Sequence, residues 1–422
     1  LGKILERDNM NRAYKRVKAN KGAPGIDGMT IEAALPWLRE HKDELIGRIE
    51  RGKYTPSPVR RVEIPKPDGG IRKLGIPTVI DRIIQQAIAQ NLMPIYEPMF
   101  SDGSYGYRPG RNAKDAIERV REYAEEGYRY AVSLDLSRYF DTLNHEILLN
   151  RLRKEVKDER VIQIIKRYLK SGVMVHGVAL DTEEGSPQGR NLSPLSANIY
   201  LDDFDKVFDM RGVLRVRYAD DIVLLAKSER AAKRLLETST SYLENKLKLT
   251  VNRKKSKVAS VYAIRNFKFL GFALGRNGNG TFMRVHPKSW KKMKAKLKSL
   301  SSRRHVQSVI PALCKIREYM RGWLNYYGIA AMKQAIEELN GWLYHRIRMC
   351  IWKMWKKPRS KMKYLMKLGI PKHYAFMAAN SRRGHWFTSA TSTVNRALSK
   401  EILVRKGFYD LADAYQQMHV NY

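Results

Sequence analysis

Carboxylates are the residues of this chain best placed to do chemistry. In VLRVRYADDIVLLAKS, residues 213–228, Asp220 and Asp221 stand side by side between two apolar runs, Val213, Leu214 and Val216 before them and Ile222 to Leu225 after. The runs read as two short strands with the acidic pair at the bend. Neighbouring side chains on a strand point to opposite faces, so adjacent carboxylates serve one ion only where the backbone turns. A third carboxylate, Asp135, ends the apolar run of AVSLDLSRYF, where it could approach that bend. Unpaired buried charges are very unfavourable, so such a trio calls for a cation. Mg2+ takes oxygen ligands, one or two carboxylates plus substrate phosphates. Two such ions about 3.5 to 4 Å apart stabilise the attacking and leaving oxygens of a phosphoryl transfer. The competing reading is structural: Asp-Asp pairs shape many solvated turns, and any one of these aspartates could cap a helix or pair with an Arg.

Helices and strands alternate around this trio. DAIERVREYAEEG, residues 115–127, sets Ile117, Val120 and Tyr123 at helical spacing and ends on Gly127, a C-cap signal. YRYAVSLDLSRYFDTL alternates as a strand and DERVIQIIKRYLKSG is helical. KSERAAKRLLETSTSYLENKLKLTV predicts a long amphipathic helix capped by Ser228. This order implies an α+β fold, with helices packed on one face of an antiparallel sheet. Strand-like runs stop after NFKFLGFALGRNGNGTFMRV, whose Gly and Asn cluster at 275–280 reads as a hairpin turn. Helical periodicity follows, which places a domain boundary near residue 285.

Charge narrows the partner. The 422 residues carry 80 Lys and Arg against 42 Asp and Glu, a formal net charge of +38, which points to a polyanion. An anionic membrane is the competitor, but the chain has no run of about 18 apolar residues and no secretory start. Cys314 and Cys350 are too few and too far apart for a zinc module or a disulfide framework and fit a reducing compartment. Residues 281–422 hold 29 Lys and Arg against 6 acids, so the last third carries most of the excess. There SWKKMKAKLKSL puts Met293, Leu297 and Leu300 on one helical face and leaves Lys291, Lys292, Lys294, Lys296 and Lys298 for the others, suited to a phosphate backbone. YHRIRMCIWKMWKKPRSKMKYLMK interleaves Trp352, Trp355 and Tyr364 with Arg and Lys, a mixture that suits single strands and RNA loops. Aromatic core with a solvated basic face is the alternative reading of the same residues.

The blocks LDLSRYFD, GSPQGRNLSPLSANIYL, YADD, LTVNRKKSKV and FKFLGF follow the order seen in reverse transcriptases, which this chain resembles. NKGAPGIDGMT, IPKPDGGIRKLGIPTVIDRIIQQAI, SYGYRPGRNAKDAI and RGWLNYY narrow the resemblance to the bacterial group II intron reverse transcriptases, or maturases, over nearly the whole chain. The resemblance implies a right-hand polymerase with fingers and palm over 1–285, a helical thumb (maturase domain X) over 286–385 and a C-terminal nucleic-acid-binding extension over 386–422. It implies that Asp135, Asp220 and Asp221 ligate two Mg2+ ions, with the backbone carbonyl of Leu136 as a further donor. Phe140 would stand against the sugar C2′ and select DNA precursors, although Tyr139 and Phe140 read without the family as core aromatics. Lys66 and Arg72 would grip the incoming triphosphate, Gln188 would pack near the templating base, and Lys255, beside Ser256, would approach the site. Asp141 falls outside the metal site and is read as structural.

In this sequence Arg190 and Asn191 follow PQG where the family has a small residue, which bears on the geometry of that loop. Lys291, Lys294, Lys298, Trp352 and Trp355 are expected to contact nucleic acid. The implied activity is an RNA-directed DNA polymerase that also assists intron splicing, in a bacterial cytoplasm and away from membranes. Its implied partners are group II intron RNA, an RNA template with a DNA primer, dNTPs and target DNA. The paired cysteines of the family's DNA endonuclease extension do not occur, which implies a compact member without second-strand cleavage. Two other classes remain: an RNA-binding splicing cofactor with incidental polymerisation, and a domesticated reverse transcriptase like those of retrons or diversity-generating elements.

Overall fold

The computed structural model describes residues 1–65, 69–175, 178–180, 191–302 and 308–420. It divides into two compact units, Leu1–Val261 and Tyr262–Tyr422.

Two sheets organise the first unit. In one, β1 (Val59–Pro65) and β2 (Ile71–Ile76) form an antiparallel hairpin with Ile64 opposite Arg72. In the other, β3 (Tyr130–Leu134) lies in the middle of the sheet. The first sheet is completed by β4 (Val173–Val175), parallel to β1, and β5 (Val178–Leu180). The second has the order β6-β7-β3-β8, with β6 (Arg215–Tyr218), β7 (Asp221–Ala226) and β8 (Lys257–Ser260), all antiparallel to their neighbours. Val132, Leu134, Ile222 and Leu224 alternate inward from β3 and β7 and join one core with Tyr200, Phe204 and Phe208 of the Ser193–Met210 helix. The strand read across YRYAVSLDLSRYFDTL stops at Leu134. Arg138 takes a left-handed backbone (φ 49°), and Tyr139–Asp141 form a short 3-10 turn that ends the alternation.

Local signals in the sequence account for the helices. The Ala113–Glu125 helix starts on a reciprocal capping box between Asn112 and Asp115 and is followed by Gly127 at φ +98°, a conformation glycine adopts without penalty. Ser228 Oγ accepts from the Ala231 amide at 3.2 Å and starts the Glu229–Ser241 helix, which a π-helical turn, Tyr242–Lys246, extends. The Val79–Tyr96 helix is buried on nearly every side, Ile83, Ile84, Ala87 and Ile88 being almost completely covered. Its polar start is satisfied internally: the buried Asp81 carboxylate accepts from Tyr54 Oη at 2.6 Å, Thr78 Oγ1 at 2.7 Å and the Ser57 amide at 3.2 Å.

The second unit opens with the hairpin β9 (Phe272–Asn277) and β10 (Gly280–Val285), turning where the Gly and Asn cluster was read. Helices follow, among them Pro287–Leu300, Val309–Tyr327, Lys333–Met354, Pro358–Lys367 and Lys372–Ala379. The hairpin belongs with these helices by packing. Phe272 sits against Tyr326 and Tyr327, with ring centroids 5.5 and 5.0 Å apart, and Tyr326 Oη donates to the Leu270 carbonyl at 2.9 Å. The change of texture read near residue 285 therefore falls inside this unit.

Candidate active site

The ladder between β3 and β7 pairs Tyr130 with Ala226 and Leu134 with Ile222. Continuing that register by one residue sets Asp135 opposite Asp221, at the end of β7. Directly opposed residues on an antiparallel pair share a face with their Cβ atoms about 4.5–5.5 Å apart. Asp220 is the neighbouring turn residue, and Tyr218 pairs with Asp221 across the β6–β7 bend. Asp135 thus reaches, from a distant part of the chain, the same end of the sheet as the adjacent Asp220 and Asp221. Asp221 is exposed, and Asp135 and Asp220 are half-buried.

The backbone beyond β3 is fixed on its other side. The Asp135 amide donates to Ser256 Oγ at 3.0 Å and its carbonyl accepts from the Asn252 amide at 2.8 Å. Leu136 bridges to Val251, and the Ser137 amide donates to the Thr250 carbonyl at 2.8 Å. Lys255 Nζ lies 4.0 Å from Asp135 Oδ2. Among the described residues no three His, Cys, Asp or Glu side chains converge closely enough to hold a metal ion by themselves. The donor set nonetheless suits a hard cation: carboxylate oxygens, reachable by solvent, with coordination places left for phosphates.

The bend is held from below by a polar network that the sequence reading did not single out. Ala219 takes a left-handed backbone, φ +58°, unusual for a residue with a Cβ. Its carbonyl accepts from Arg217 Nη1 at 3.0 Å. The same nitrogen donates to Asn198 Oδ1 at 2.9 Å, while Asn198 Nδ2 donates to the Gly106 carbonyl at 2.8 Å. Arg217 is wholly buried and forks onto the equally buried Asp205, with Nε to Oδ2 at 2.9 Å. Burial opposes the charge on Arg217, but the Asp205 carboxylate outweighs it and raises the guanidinium's pKa. Arg215 Nη1 reaches the other Asp205 oxygen at 2.8 Å. Residues 103–106 run alongside β6, with the Tyr105 amide donating to the Arg217 carbonyl at 2.8 Å. A Cβ on Gly106 would stand 2.2 Å from the Ala219 nitrogen, so only glycine allows this approach. The signal available in the sequence was the pair of arginines at i and i+2 in a strand, RVRY, with LDDFD before it.

Other expected residues fall as follows. Phe140 is 7% exposed and packs edge-on to Tyr139, whose hydroxyl donates to the Ala197 carbonyl at 2.7 Å. Burial raises the pKa of Asp141, opposed by Arg61, Arg138 and Lys73. Lys66, Gln188 and Arg190 lie outside the described residues, as does the side chain of Arg72. Asn191 Nδ2 donates to Gln86 Oε1 on the Val79–Tyr96 helix at 3.2 Å.

In the second unit, Lys291, Lys294 and Lys298 are exposed while Met293 and Leu297 turn inward. Lys294 Nζ sits 5.2 Å from the Trp342 ring. Trp352 departs from the reading as a stacking residue, because it is 2% exposed, a core side chain whose ring no base can reach in this packing. Trp355 stacks on Tyr364, centroids 5.1 Å apart and 18° between planes, and both lie nearer the surface. No helix among the described residues is long and apolar enough to cross a membrane.

Two family models match this chain. The family described as reverse transcriptase (RNA-dependent DNA polymerase) matches residues 64–274, half the chain, and the group II intron maturase-specific domain matches residues 290–369. Protein YkfC of Escherichia coli is 34% identical over 317 residues, 65% of this chain and 82% of that protein. The group II intron-encoded protein LtrA of Lactococcus lactis is 28% identical over 383 residues, 75% of this chain and 62% of the relative. A solved structure titled as a partial Cas6-RT-Cas1--Cas2 complex is 24% identical over 58% of this chain and 42% of that chain, with a TM-score of 0.37.

Proposed function

This chain belongs to the reverse transcriptase family and carries a group II intron maturase domain, and from that membership we propose how its RNA-directed DNA polymerase activity is built and what it serves. Asp135, Asp220 and Asp221 form the catalytic centre for nucleotidyl transfer, with the Leu136 carbonyl beside them. When bound there, two Mg2+ ions would supply charge stabilisation at the attacking 3′-oxygen and the leaving pyrophosphate. The protein's own part is to hold the three carboxylates on one sheet end. The observation that supports this reading is the β3–β7 register, which ends with Leu134 opposite Ile222 and whose continuation by one residue would set Asp135 across from Asp221.

By the family resemblance, Lys66, Arg72, Gln188 and Lys255 serve the incoming dNTP, and Phe140 meets its sugar. Lys255, 4.0 Å from Asp135, supports this assignment for its own position. The helical unit works as a thumb, and its exposed Lys291, Lys294 and Lys298, together with Trp355, bind nucleic acid. The substrates are an RNA template with a DNA primer, and the partners are group II intron RNA and its target DNA in a bacterial cytoplasm. A second role in splicing is favoured by the match of residues 290–369 to the maturase-specific domain.

One assay tests the centre and separates the two roles. The full chain should extend a DNA primer on an RNA template with Mg2+, and Asp220→Ala should lose at least about 1,000-fold in rate, a barrier increase of roughly 4 kcal/mol. Splicing of the host intron should persist in that variant. Extension undiminished by Asp220→Ala would remove the three aspartates from the mechanism.

A further inference from the structure

Between Glu338 and Glu401 the chain has no acidic residue at all, while residues 339–400 contain fourteen Lys and Arg. Within that stretch the Pro358–Lys367 and Lys372–Ala379 helices pack as a hairpin. Leu365, Ile370, Ala375 and Ala379 are buried, and the i, i+4 spacing of the last two defines the inward face. One position further round, Phe376 and Asn380 face a cleft of about 520 Å3, together with Met362, Lys357 and Arg359. That volume lies in the range of small-ligand sites, about 300–1,000 Å3.

We propose that this cleft takes one unstacked nucleotide of single-stranded RNA, its base against Phe376 and its phosphate against Lys357 and Arg359. The proposal rests on the RNA binding inferred above and names a site for it. Phe376 is 57% exposed, a large apolar surface left in water where two cations stand at the same mouth. Every base has a π-face, so a ring beside cations recognises unpaired nucleotides with little regard to sequence. Met362 forms the second apolar contact. Asn380 Nδ2 donates to the Phe376 carbonyl at 2.9 Å, which fixes the amide beside the ring, where it can meet a base edge. None of the residues that line the cleft is acidic. Tyr374, Trp386 and Phe387, each 44% exposed or more, leave further aromatic surface in the same basic stretch. Duplex RNA, with its bases stacked inside, cannot present the face of a base to this phenyl group.

The test uses the full chain and an unstructured 4-thiouridine-containing RNA of about 20 nucleotides, compared with its perfect duplex; the length exceeds the ~16-nucleotide span of the largest single-strand sites. Photo-crosslinks should map to residues 358–380. Phe376→Ala should weaken single-strand binding by about tenfold and duplex binding by less than about twofold, and Phe376→Trp should restore the affinity, as expected for loss and recovery of one stacked base. A phenyl group this exposed can be removed without loss of the fold, which an unchanged melting temperature would verify. Equal losses for both RNAs, no loss for either, or phosphatidylserine vesicles that displace the single strand and lose affinity equally with Phe376→Ala would overturn the site. If the unaltered chain bound neither RNA, the RNA-binding reading itself would fall; if it bound both without dependence on Phe376, only the cleft would.

Discussion

Arg217 and Asn198 decide how firmly the catalytic bend is aimed. Their bonds to the carbonyls of Ala219 and Gly106 hold a left-handed residue directly before Asp220. Removing one member of a buried ion pair costs about 3–5 kcal/mol, because the other charge is left uncompensated. Arg217→Ala should strip Asp205 of its fork but leave it Arg215 Nη1 at 2.8 Å, so it should chiefly lower stability, by less than that full cost. Asn198→Ala is the sharper variant, since it keeps the Arg217–Asp205 pair and removes only the link between the two carbonyls. Its expected cost is about 1–3 kcal/mol for the groups left unsatisfied. The expected effect on chemistry is a fall in kcat on the order of 10- to 100-fold, with KM for dNTP nearly unchanged, since small misplacements of reacting groups have that size of effect. Primer-extension kinetics on a pre-annealed template measure both constants. A lowered melting temperature with an unchanged kcat would reduce Asn198 to a purely structural residue.

At the scale of elements, the bend depends on how closely residues 103–106 approach β6. Gly106→Ala would drive a methyl group to 2.2 Å from the Ala219 nitrogen, and backbone on both sides has to move. Overpacking of this kind costs about 1–3 kcal/mol, and extension activity should fall with it; full activity in Gly106→Ala would mean that the segment is not the support of the bend. The start of the Val79–Tyr96 helix gives a pH-dependent counterpart. Burial raises the Asp81 pKa, against the hydrogen bonds from Tyr54, Thr78 and Ser57 that lower it. The fold therefore favours the neutral acid, and its contribution to stability is complete below the unfolded value of about 3.9 and lost as pH rises through the folded value. Asp81→Asn lacks this loss, so its melting temperature relative to the unaltered chain should climb with pH from about 4 upward. A constant difference across that range would show that Asp81 is charged equally in both states. These elements also mark what could be read beforehand. Periodicity and caps disclosed the helix after Ser228, the hairpin at 275–280 and the two strands around Asp220, because each depends on residues close in sequence. The Arg217 network stayed hidden because β6, the Ser193–Met210 helix that carries Asn198 and Asp205, and the segment of Gly106 meet only in the fold. Trp352 misled for the opposite reason: a basic neighbourhood says nothing about which face of the Lys333–Met354 helix is buried.

The whole molecule carries a net charge of +38, and residues 281–422 concentrate it at 29 cations against 6 acids, so association with RNA should be governed by counterion release. Each phosphate neutralised on a single strand contributes about −0.7 to the slope of log affinity against log salt. The Pro287–Leu300 helix turns Met293 and Leu297 inward and leaves Lys291 and Lys298 exposed, without the ring contact that engages Lys294 beside Trp342. If that helix lies along a phosphate backbone, Lys291→Ala with Lys298→Ala should flatten the slope by roughly 1.4, with little change in which sequence is bound, since phosphate contacts carry no base information. The cleft at Phe376 obeys a different dependence, because stacking is far less sensitive to salt than ion pairing; Phe376→Ala should shift the line downward and leave its slope nearly unchanged. Titrating one unstructured RNA against the unaltered chain and both variants, from about 0.05 to 0.2 M salt, separates the two contributions. A double-lysine variant that keeps the original slope would take the Pro287–Leu300 helix out of the RNA interface, and a flatter slope for Phe376→Ala would mean that its loss disturbs the surrounding cations instead of a stacked base.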